Sequence, residues 1–267
     1  MIVGLIGQGL LGSAIAERLA AAGYRVAAYD PAVETAYDSV EAVAAAASAV
    51  FLCLPESSHS AAVLSKIPVG HLVIDATTGA PDEMEAFGLD RPLYVDATIG
   101  GSSNHLRRGE AIVMAGASDV AFEGATPLLA ALSSTVIHCG GPGAGARMKL
   151  VFNMVLGLNR AALAEGLAFG EAQGLSSDMI LRVLQSGPAA SRIMETKGPK
   201  MLARDYTPEA RLRQHHKDVR LMLALGGRTP LTEAHERVLT EAEAMGLGDS
   251  DNSALIEVYR RDNVVGR

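Results

Sequence analysis

Apolar and polar positions change their period once along the chain. Up to residue 140, short apolar runs alternate with segments in which apolar residues recur at helical spacing. The apolar runs predict strands at 2–6, 24–30, 49–55, 71–77, 92–98, 111–116 and 135–140. The segments between them predict helices at 13–23, 40–47, 58–67, 81–88 and 119–133. Strands separated by helices favour a mostly parallel sheet with helices on both faces.

Beyond residue 145 only the helical period remains. It predicts helices at 146–172, 176–186, 189–203, 209–226, 230–246 and 252–263, separated by glycine and proline. The predicted fold is therefore α/β, with an N-terminal Rossmann-type doubly wound sheet (1–145) followed by an all-α C-terminal domain (146–267). The segment 146–172 is long and largely apolar, so other helices or a second subunit should cover it. A homodimer or homotetramer is expected.

Composition narrows the class of partner. Lys and Arg number 23 against 30 Asp and Glu, and the net charge of −7 argues against nucleic acid. No apolar run approaches the roughly 20 residues that span a bilayer, so no membrane association is expected. Cys53 and Cys139 lack metal-ligand spacing, so no metal site is expected, and two unpaired thiols fit a reducing cytoplasm.

The first strand leads into a glycine pattern. Gly7, Gly9 and Gly12 have G-x-G-x-x-G spacing between a strand and a helix, which is the context in which this pattern binds dinucleotides. The glycines allow a tight turn, close approach of the diphosphate and close packing of helix on strand. Asp30 ends the second strand, where an acid binds the ribose hydroxyls and repels a 2′-phosphate. NAD is therefore preferred over NADP, which stays an alternative. The expected cofactor-binding residues here are Gly7, Gln8, Gly9, Leu10, Leu11, Gly12 and Asp30.

Five later blocks carry a family resemblance. In order they are FLCLP (51–55), DATTGAP (75–81), DATIGGSSNHLRRG (96–109), GAGARMKLVFN (143–153) and HKDVRLMLAL (216–225). With the glycine segment they resemble the β-hydroxyacid dehydrogenase family, which includes 3-hydroxyisobutyrate dehydrogenase and tartronate semialdehyde reductase. The resemblance implies a nicotinamide cofactor and a small substrate that carries a carboxylate.

The resemblance also assigns roles to individual residues. The cofactor-binding residues that it adds are Leu54, Pro55, Thr78 and Lys217. The substrate-binding loop would contain Gly100, Gly101 and Ser102. The catalytic residues would be Lys149 and Asn153, which would also contact the substrate. The chain departs from the family pattern at Gly100, where the family has serine, at Ser102, where it has glycine, and at Phe152, where it has asparagine.

Lys149 has a chemical reason to lie in an apolar helix. Asn153 follows one turn later on the same face. An ammonium group on an apolar face is costly unless it reaches water or a carboxylate. Hydride transfer, however, requires a proton at the reacting oxygen, and a lysine whose pKa falls from about 10.4 toward neutrality can exchange it. Burial, the cationic nicotinamide ring and the helix N-terminus would all lower that pKa.

The predicted activity is hydride transfer between the cofactor and a small 3-hydroxy acid or its semialdehyde, in a cleft between the two domains. Two enzyme alternatives keep the fold. An imine-reductase-like activity is disfavoured by Lys149, and a 6-phosphogluconate-dehydrogenase-like activity by Phe152 in place of a histidine. A non-catalytic NAD(H)-binding sensor is favoured by Gly100 and disfavoured by the Lys149–Asn153 pair. Of His215 and His216, we expect one to be solvated and one to pack between helices, with substrate contact as the alternative.

Overall fold

The computed structural model describes residues 1–262, and its first half alternates strands and helices as the sequence predicts. The strands are β1 (Ile2–Ile6), β2 (Arg25–Tyr29), β3 (Ala49–Leu52), β4 (Leu72–Asp75), β5 (Tyr94–Gly100), β6 (Ile112–Gly116) and β7 (Thr135–Gly140). The helices are α1 (Leu10–Ala21), α2 (Val40–Ala46), α3 (Ser57–Leu64), α4 (Pro81–Asp90), α5 (Ser103–Arg107) and α6 (Asp119–Leu132).

The seven strands form one sheet in the order β2-β1-β3-β4-β5-β6-β7. Every neighbouring pair is parallel except β5 and β6, which are antiparallel. The predicted fold class is confirmed. Because β1 to β5 run in one direction, their carboxyl ends share one edge, where open α/β sheets bind ligands. We call this the carboxyl edge of the sheet.

Both faces of the sheet are buried, which explains why its strands read as continuous apolar runs. In β3, for example, Phe51 packs into the core on one face, and Val50 and Leu52 pack into the core on the other. Helices cover both faces, so a one-residue shift of a strand would move each of its side chains to the opposite face of the sheet.

The helical part consists of α7 (Ala144–Ala172), α8 (Ser177–Ser186), α9 (Ile193–Ala203), α10 (Leu212–Ala224), α11 (Pro230–Ala244) and α12 (Ile256–Asp262). Two 3₁₀ turns, Leu247–Asp249 and Asn252–Leu255, precede α12. The predicted helices 189–203, 209–226 and 252–263 therefore begin too early, and residue 263 lies outside the described residues. The chain divides into two compact units, Met1–Lys149 and a second that begins at Leu150, so the division falls inside α7.

Sequence composition suggested that no segment is long and apolar enough to span a bilayer, and helix α7 is an exception. With 29 residues it is long and apolar enough, by length and composition alone, to cross a membrane. Such a helix is weak evidence for a membrane protein, because the core helix of a soluble protein passes the same test. The second unit also exposes several large apolar side chains, namely Phe169, Leu175, Met179 and Val183. The expected self-association stays a prediction.

Helix α5 was not predicted. It spans only Ser103–Arg107, which is too short to show a period. Its capping signal is also unusual: the Ser102 side chain caps the backbone of His105, and the His105 ring in turn caps the backbone of Ser102. A glutamate or glutamine normally takes the second role.

Candidate active site

The glycine loop joins β1 to α1 at the carboxyl edge. Gly7 has a φ of +97°, and a Cβ there would overlap the carbonyl oxygen of Cys53. A Cβ at Gly12 would overlap the carbonyl oxygen of Gly7. A Cβ at Gly9, in contrast, would meet no described atom within 4 Å. The fold itself thus requires Gly7 and Gly12, whereas beside Gly9 there is open space.

That space lies at the N-terminus of α1. Gly9 is the N-cap residue, and within the described structure no side chain caps this end of the helix. The first turn, which includes Leu10 and Leu11, contains no acidic residue. The N–H groups of a first turn have no acceptor inside their helix. They and the helix dipole therefore favour an anion such as a diphosphate here.

Asp30 is tied to the same loop. Its Oδ2 accepts a hydrogen bond from the Gln8 backbone N–H at 2.6 Å, and its Oδ1 accepts one from Ala32 N–H at 2.8 Å. The backbone of Gly7 also donates to Tyr29 O at 2.9 Å. The carboxylate is thereby fixed beside the glycine loop.

The segments after β3 and β4 are linked to each other. The backbone N–H of Leu54 donates to Thr77 Oγ1 at 3.0 Å, and Thr77 N–H donates to Asp75 Oδ1 at 2.9 Å. Pro55 and Thr78 are the next residues of these two segments. The segments that follow β2, β1, β3 and β4, all of which the sequence predicted to bind the cofactor, therefore lie side by side along the carboxyl edge.

Lys149 is held at the end of β5. Its side chain is buried, with 8% of the residue exposed, and Nζ donates to Ile99 O at 2.6 Å. Ile99 immediately precedes the predicted substrate loop, Gly100–Ser102. The structure thus brings the lysine amine and that loop together.

Ser102, the last residue of the predicted substrate loop, contacts a histidine of α5. Ser102 Oγ lies 2.8 Å from His105 Nδ1, and the Ser102 backbone N–H donates to the same nitrogen at 3.2 Å. Because Nδ1 accepts from an N–H, it carries no proton in this arrangement. Gly101 has a φ of +132°, a conformation that favours glycine. Sequence reasoning missed His105, whose only signal is its place three residues after a capping serine.

Sequence reasoning also missed the residues of β5 that hold α7. Asp96 Oδ1 accepts from Gly143 N–H at 2.8 Å, and Oδ2 accepts from Ala146 N–H at 2.7 Å. Thr98 Oγ1 donates to Gly145 O at 3.1 Å. Burial raises the pKa of Asp96 to about 7, although the two backbone donors oppose this shift. The available signal was a carboxylate inside a buried strand, which must find donors.

Asn153, Lys217 and Asp218 form a separate set in the second unit. Asn153 lies one turn beyond Lys149 on α7, and its Nδ2 donates to Asp218 Oδ2 at 2.8 Å. Lys217 Nζ lies 3.3 Å from Asp218 Oδ1. The carboxylate of Asp218 therefore orients the amide and pairs with the lysine.

The expectation that either His215 or His216 is solvated is wrong. They are 8% and 0% exposed. His215 Nε2 lies 3.0 Å from His235 Nε2, and His216 Nε2 lies 3.2 Å from Glu236 Oε1. Burial and then the charge of Arg160 lower the pKa of His235 to about 4, so His235 is neutral near pH 7. The sequence could not show this because α11 supplies both partners from 20 residues away.

Comparisons with known proteins agree with these observations. Residues 2–141 match the NAD binding domain of 6-phosphogluconate dehydrogenase, and residues 143–259 match the family described as NAD-binding of NADP-dependent 3-hydroxyisobutyrate dehydrogenase. Among curated proteins, glyoxylate/succinic semialdehyde reductase 1 of Arabidopsis thaliana is 29% identical, over 97% of this chain and 99% of its own. The 2-(hydroxymethyl)glutarate dehydrogenase of Eubacterium barkeri is 30% identical, over 97% of this chain and 95% of its own.

A solved structure shows the same fold. The 3-hydroxyisobutyrate dehydrogenase of Salmonella typhimurium superposes with a TM-score of 0.85 at 24% identity, covering 97% of this chain and 99% of that one. The family models and the 30% identical relative confirm the family resemblance. The chain belongs to the β-hydroxyacid dehydrogenase family, and the two curated relatives named above are a semialdehyde reductase and a hydroxy acid dehydrogenase.

Proposed function

We propose that this protein transfers a hydride between NAD and a small 3-hydroxy acid or its semialdehyde, with Lys149 as the general acid/base. The observation that carries this proposal is the buried amine of Lys149, held 2.6 Å from Ile99 O next to Gly100–Ser102. The glycine loop and Asp30 lie on the same edge of the sheet, so one edge offers groups for the cofactor and a proton-transfer group.

The residues at the carboxyl edge fit a dinucleotide. The open space beside Gly9 and the uncapped N-terminus of α1 suit its diphosphate. Asp30 suits the ribose hydroxyls of the adenosine half, and by family resemblance Leu54, Pro55, Thr78 and Lys217 would bind the nicotinamide half. When bound, the nicotinamide ring accepts or supplies the hydride.

The chain's own part in the reaction is proton transfer and orientation. In the oxidising direction Lys149 takes the proton of the substrate hydroxyl, and in the reducing direction it returns a proton to the carbonyl oxygen. Its hydrogen bond to Ile99 O fixes the direction of the amine. Asn153, oriented by Asp218, would hold the reacting oxygen.

The substrate class follows from the loop and from the relatives. Gly100–Ser102 contains the Ser102 hydroxyl and N–H, which a carboxylate would bind by replacing His105 Nδ1 as their acceptor, and its glycines permit close approach. The Arabidopsis thaliana relative is called a reductase of glyoxylate and succinic semialdehyde, and both compounds combine a carboxylate with an aldehyde. The matching alcohols are a 2-hydroxy acid and a 4-hydroxy acid, so the shared feature is a carboxylate near the reacting carbon. We infer a substrate with that feature, and a 3-hydroxy acid or its semialdehyde has it.

Turnover of a compound panel tests the proposed function. Glyoxylate, succinic semialdehyde and 3-hydroxyisobutyrate should change the reduced-nicotinamide absorbance. Propionaldehyde, which lacks the carboxylate, should show a kcat/KM at least about 100-fold lower, since it lacks the charged group that the loop Gly100–Ser102 would bind. If NADH binds but no compound turns over, the proposed hydride transfer to this substrate class is wrong.

Asp30 should set the choice of cofactor. A 2′-phosphate close to this carboxylate is repelled, and like-charge contacts at interfaces cost several kcal/mol, so we expect NADH to be preferred over NADPH by about 100-fold or more. Asp30→Ser should reduce that preference, as measured by kcat/KM for each cofactor. Asp38→Asn removes the same charge at an exposed position and should leave the preference unchanged. A wild-type protein that favours NADPH would show that our interpretation of Asp30 is wrong.

A further inference from the structure

The first turn of α7 is fastened to β5 by a buried carboxyl group. Asp96 is 0% exposed, and each of its carboxyl oxygens accepts one backbone N–H, from Gly143 at 2.8 Å and from Ala146 at 2.7 Å. N–H groups in the first turn of a helix lack acceptors within the helix. Asp96 therefore does for α7 what a capping side chain does, but from a strand far away in the sequence.

The surroundings of Asp96 leave little freedom. A Cβ at Gly116 would lie 2.5 Å from Asp96 Oδ1, and one at Gly145 would lie 2.8 Å from Oδ2. Both distances are too short for a real Cβ, so two glycines confine the carboxyl group. Thr98 adds a second anchor, since its Oγ1 donates to Gly145 O at 3.1 Å.

The same strand then contacts Lys149. The lysine follows Ala146 by three residues, and its Nζ donates to Ile99 O at 2.6 Å. Strand β5 thus contacts α7 at three points: the Asp96 carboxyl group, the Thr98 hydroxyl and the Ile99 carbonyl. The first two determine where the helix begins, and that determines where the amine lies.

Asp96 is not explained as half of a structural ion pair. Among residues 1–262, no lysine, arginine or histidine forms an ion pair with it. The nearby carboxyl group of Asp75 also raises the pKa of Asp96. Its partners are the two N–H groups at the start of α7.

We propose that Asp96 is a positioning residue for Lys149. By holding the first turn of α7 against β5, it sets the distance between the amine and the loop Gly100–Ser102. A displacement of about 1 Å at a reacting group can cost about 100-fold in rate. This inference rests on the proposed role of Lys149 as the acid/base.

A double-mutant cycle tests the inference. In Asp96→Asn the amide can accept only one of the two N–H groups, so we expect kcat to fall by about 10- to 100-fold while the Kd for NADH stays within about 2-fold. Combined with Lys149→Met, the same substitution should cost less than about 2-fold more, because the two residues act as a unit. If the two losses multiply, as they do for independent sites, Asp96 does not act through Lys149.

Two further variants keep the outcome interpretable. Arg91→Met removes three hydrogen bonds to the carbonyls of Leu64, Ile67 and Pro68, so it should lower stability without lowering kcat. An equal loss of kcat in Asp96→Asn and Arg91→Met would show that Asp96 has only a structural role.

Thr98→Val keeps the Asp96 carboxylate and removes the hydrogen bond from Thr98 Oγ1 to Gly145 O. It should lower kcat by about 3-fold or more, but only where Lys149 is present.

The Thr98→Val result decides the matter if Asp96→Asn does not fold. An equal loss with and without Lys149 would overturn the inference. Full turnover in Lys149→Met alone would instead reject the proposed role of Lys149, so the two failures are distinguishable.

Discussion

Replacing Lys149 by methionine should lower kcat by about 10²- to 10⁴-fold, the range typical for loss of a general acid/base. Methionine nearly matches the length of the lysine side chain and suits its buried surroundings, but it cannot carry a proton. It also leaves Ile99 O without the donor that lies 2.6 Å away. The change therefore removes the proton-transfer group with little loss of packing.

Cofactor affinity separates catalysis from binding in this variant. Lys149 donates to β5, whereas the expected diphosphate site is the loop Gly7–Gly12, so the Kd for NADH should stay within about 2-fold. Lys66→Met provides a matched control, since Lys66 is half-exposed and pairs with Glu41 at 3.6 Å. Its kcat should equal that of the wild type. A Lys149→Met enzyme with normal kcat, or one whose loss is entirely in cofactor affinity, would show that the lysine is not the acid/base.

The edge of the sheet was predictable because its signals are local. The strand, glycine turn, helix, strand and acid from Ile2 to Asp30 follow one another within 29 residues, and each is encoded by its own short pattern. The alternation of apolar and amphipathic segments then fixed the sheet, since parallel strands need helical connections. The helix that carries Lys149 was predicted within two residues of its observed start.

What the sequence could not show depends on long-range contacts. Asp96 binds donors 47 and 50 residues away, and its role follows only from the path of α7 beside β5. Likewise, His215 is buried against a histidine 20 residues later. Asp96 interrupts an apolar strand and so signals a need for donors, but the hydrophobic pattern does not show which distant groups supply them, and the same holds for the partner of His215.

Gly9 and Gly12 lie in the same loop, but replacing each by alanine should affect different properties of the protein. Gly12→Ala places a Cβ on the carbonyl oxygen of Gly7, and overpacking of this kind costs roughly 1–3 kcal/mol. The gain in helix propensity, at most about 1 kcal/mol, does not offset the overlap. Gly12→Ala should therefore lower the midpoint of thermal unfolding.

Gly9→Ala should leave stability nearly unchanged and impair only cofactor binding. The residue has a φ of −65°, so alanine meets no positive-φ strain there, and its Cβ would meet no described atom within 4 Å. That Cβ would, however, occupy the space where a diphosphate approaches the backbone, so the Kd for NADH should rise at least about 10-fold, equivalent to about 1.4 kcal/mol. Gly124→Ala, at an open position on α6, serves as the control: it should leave NADH binding unchanged and raise stability by at most about 1 kcal/mol through helix propensity. If Gly9→Ala binds NADH normally, the diphosphate does not lie on this loop.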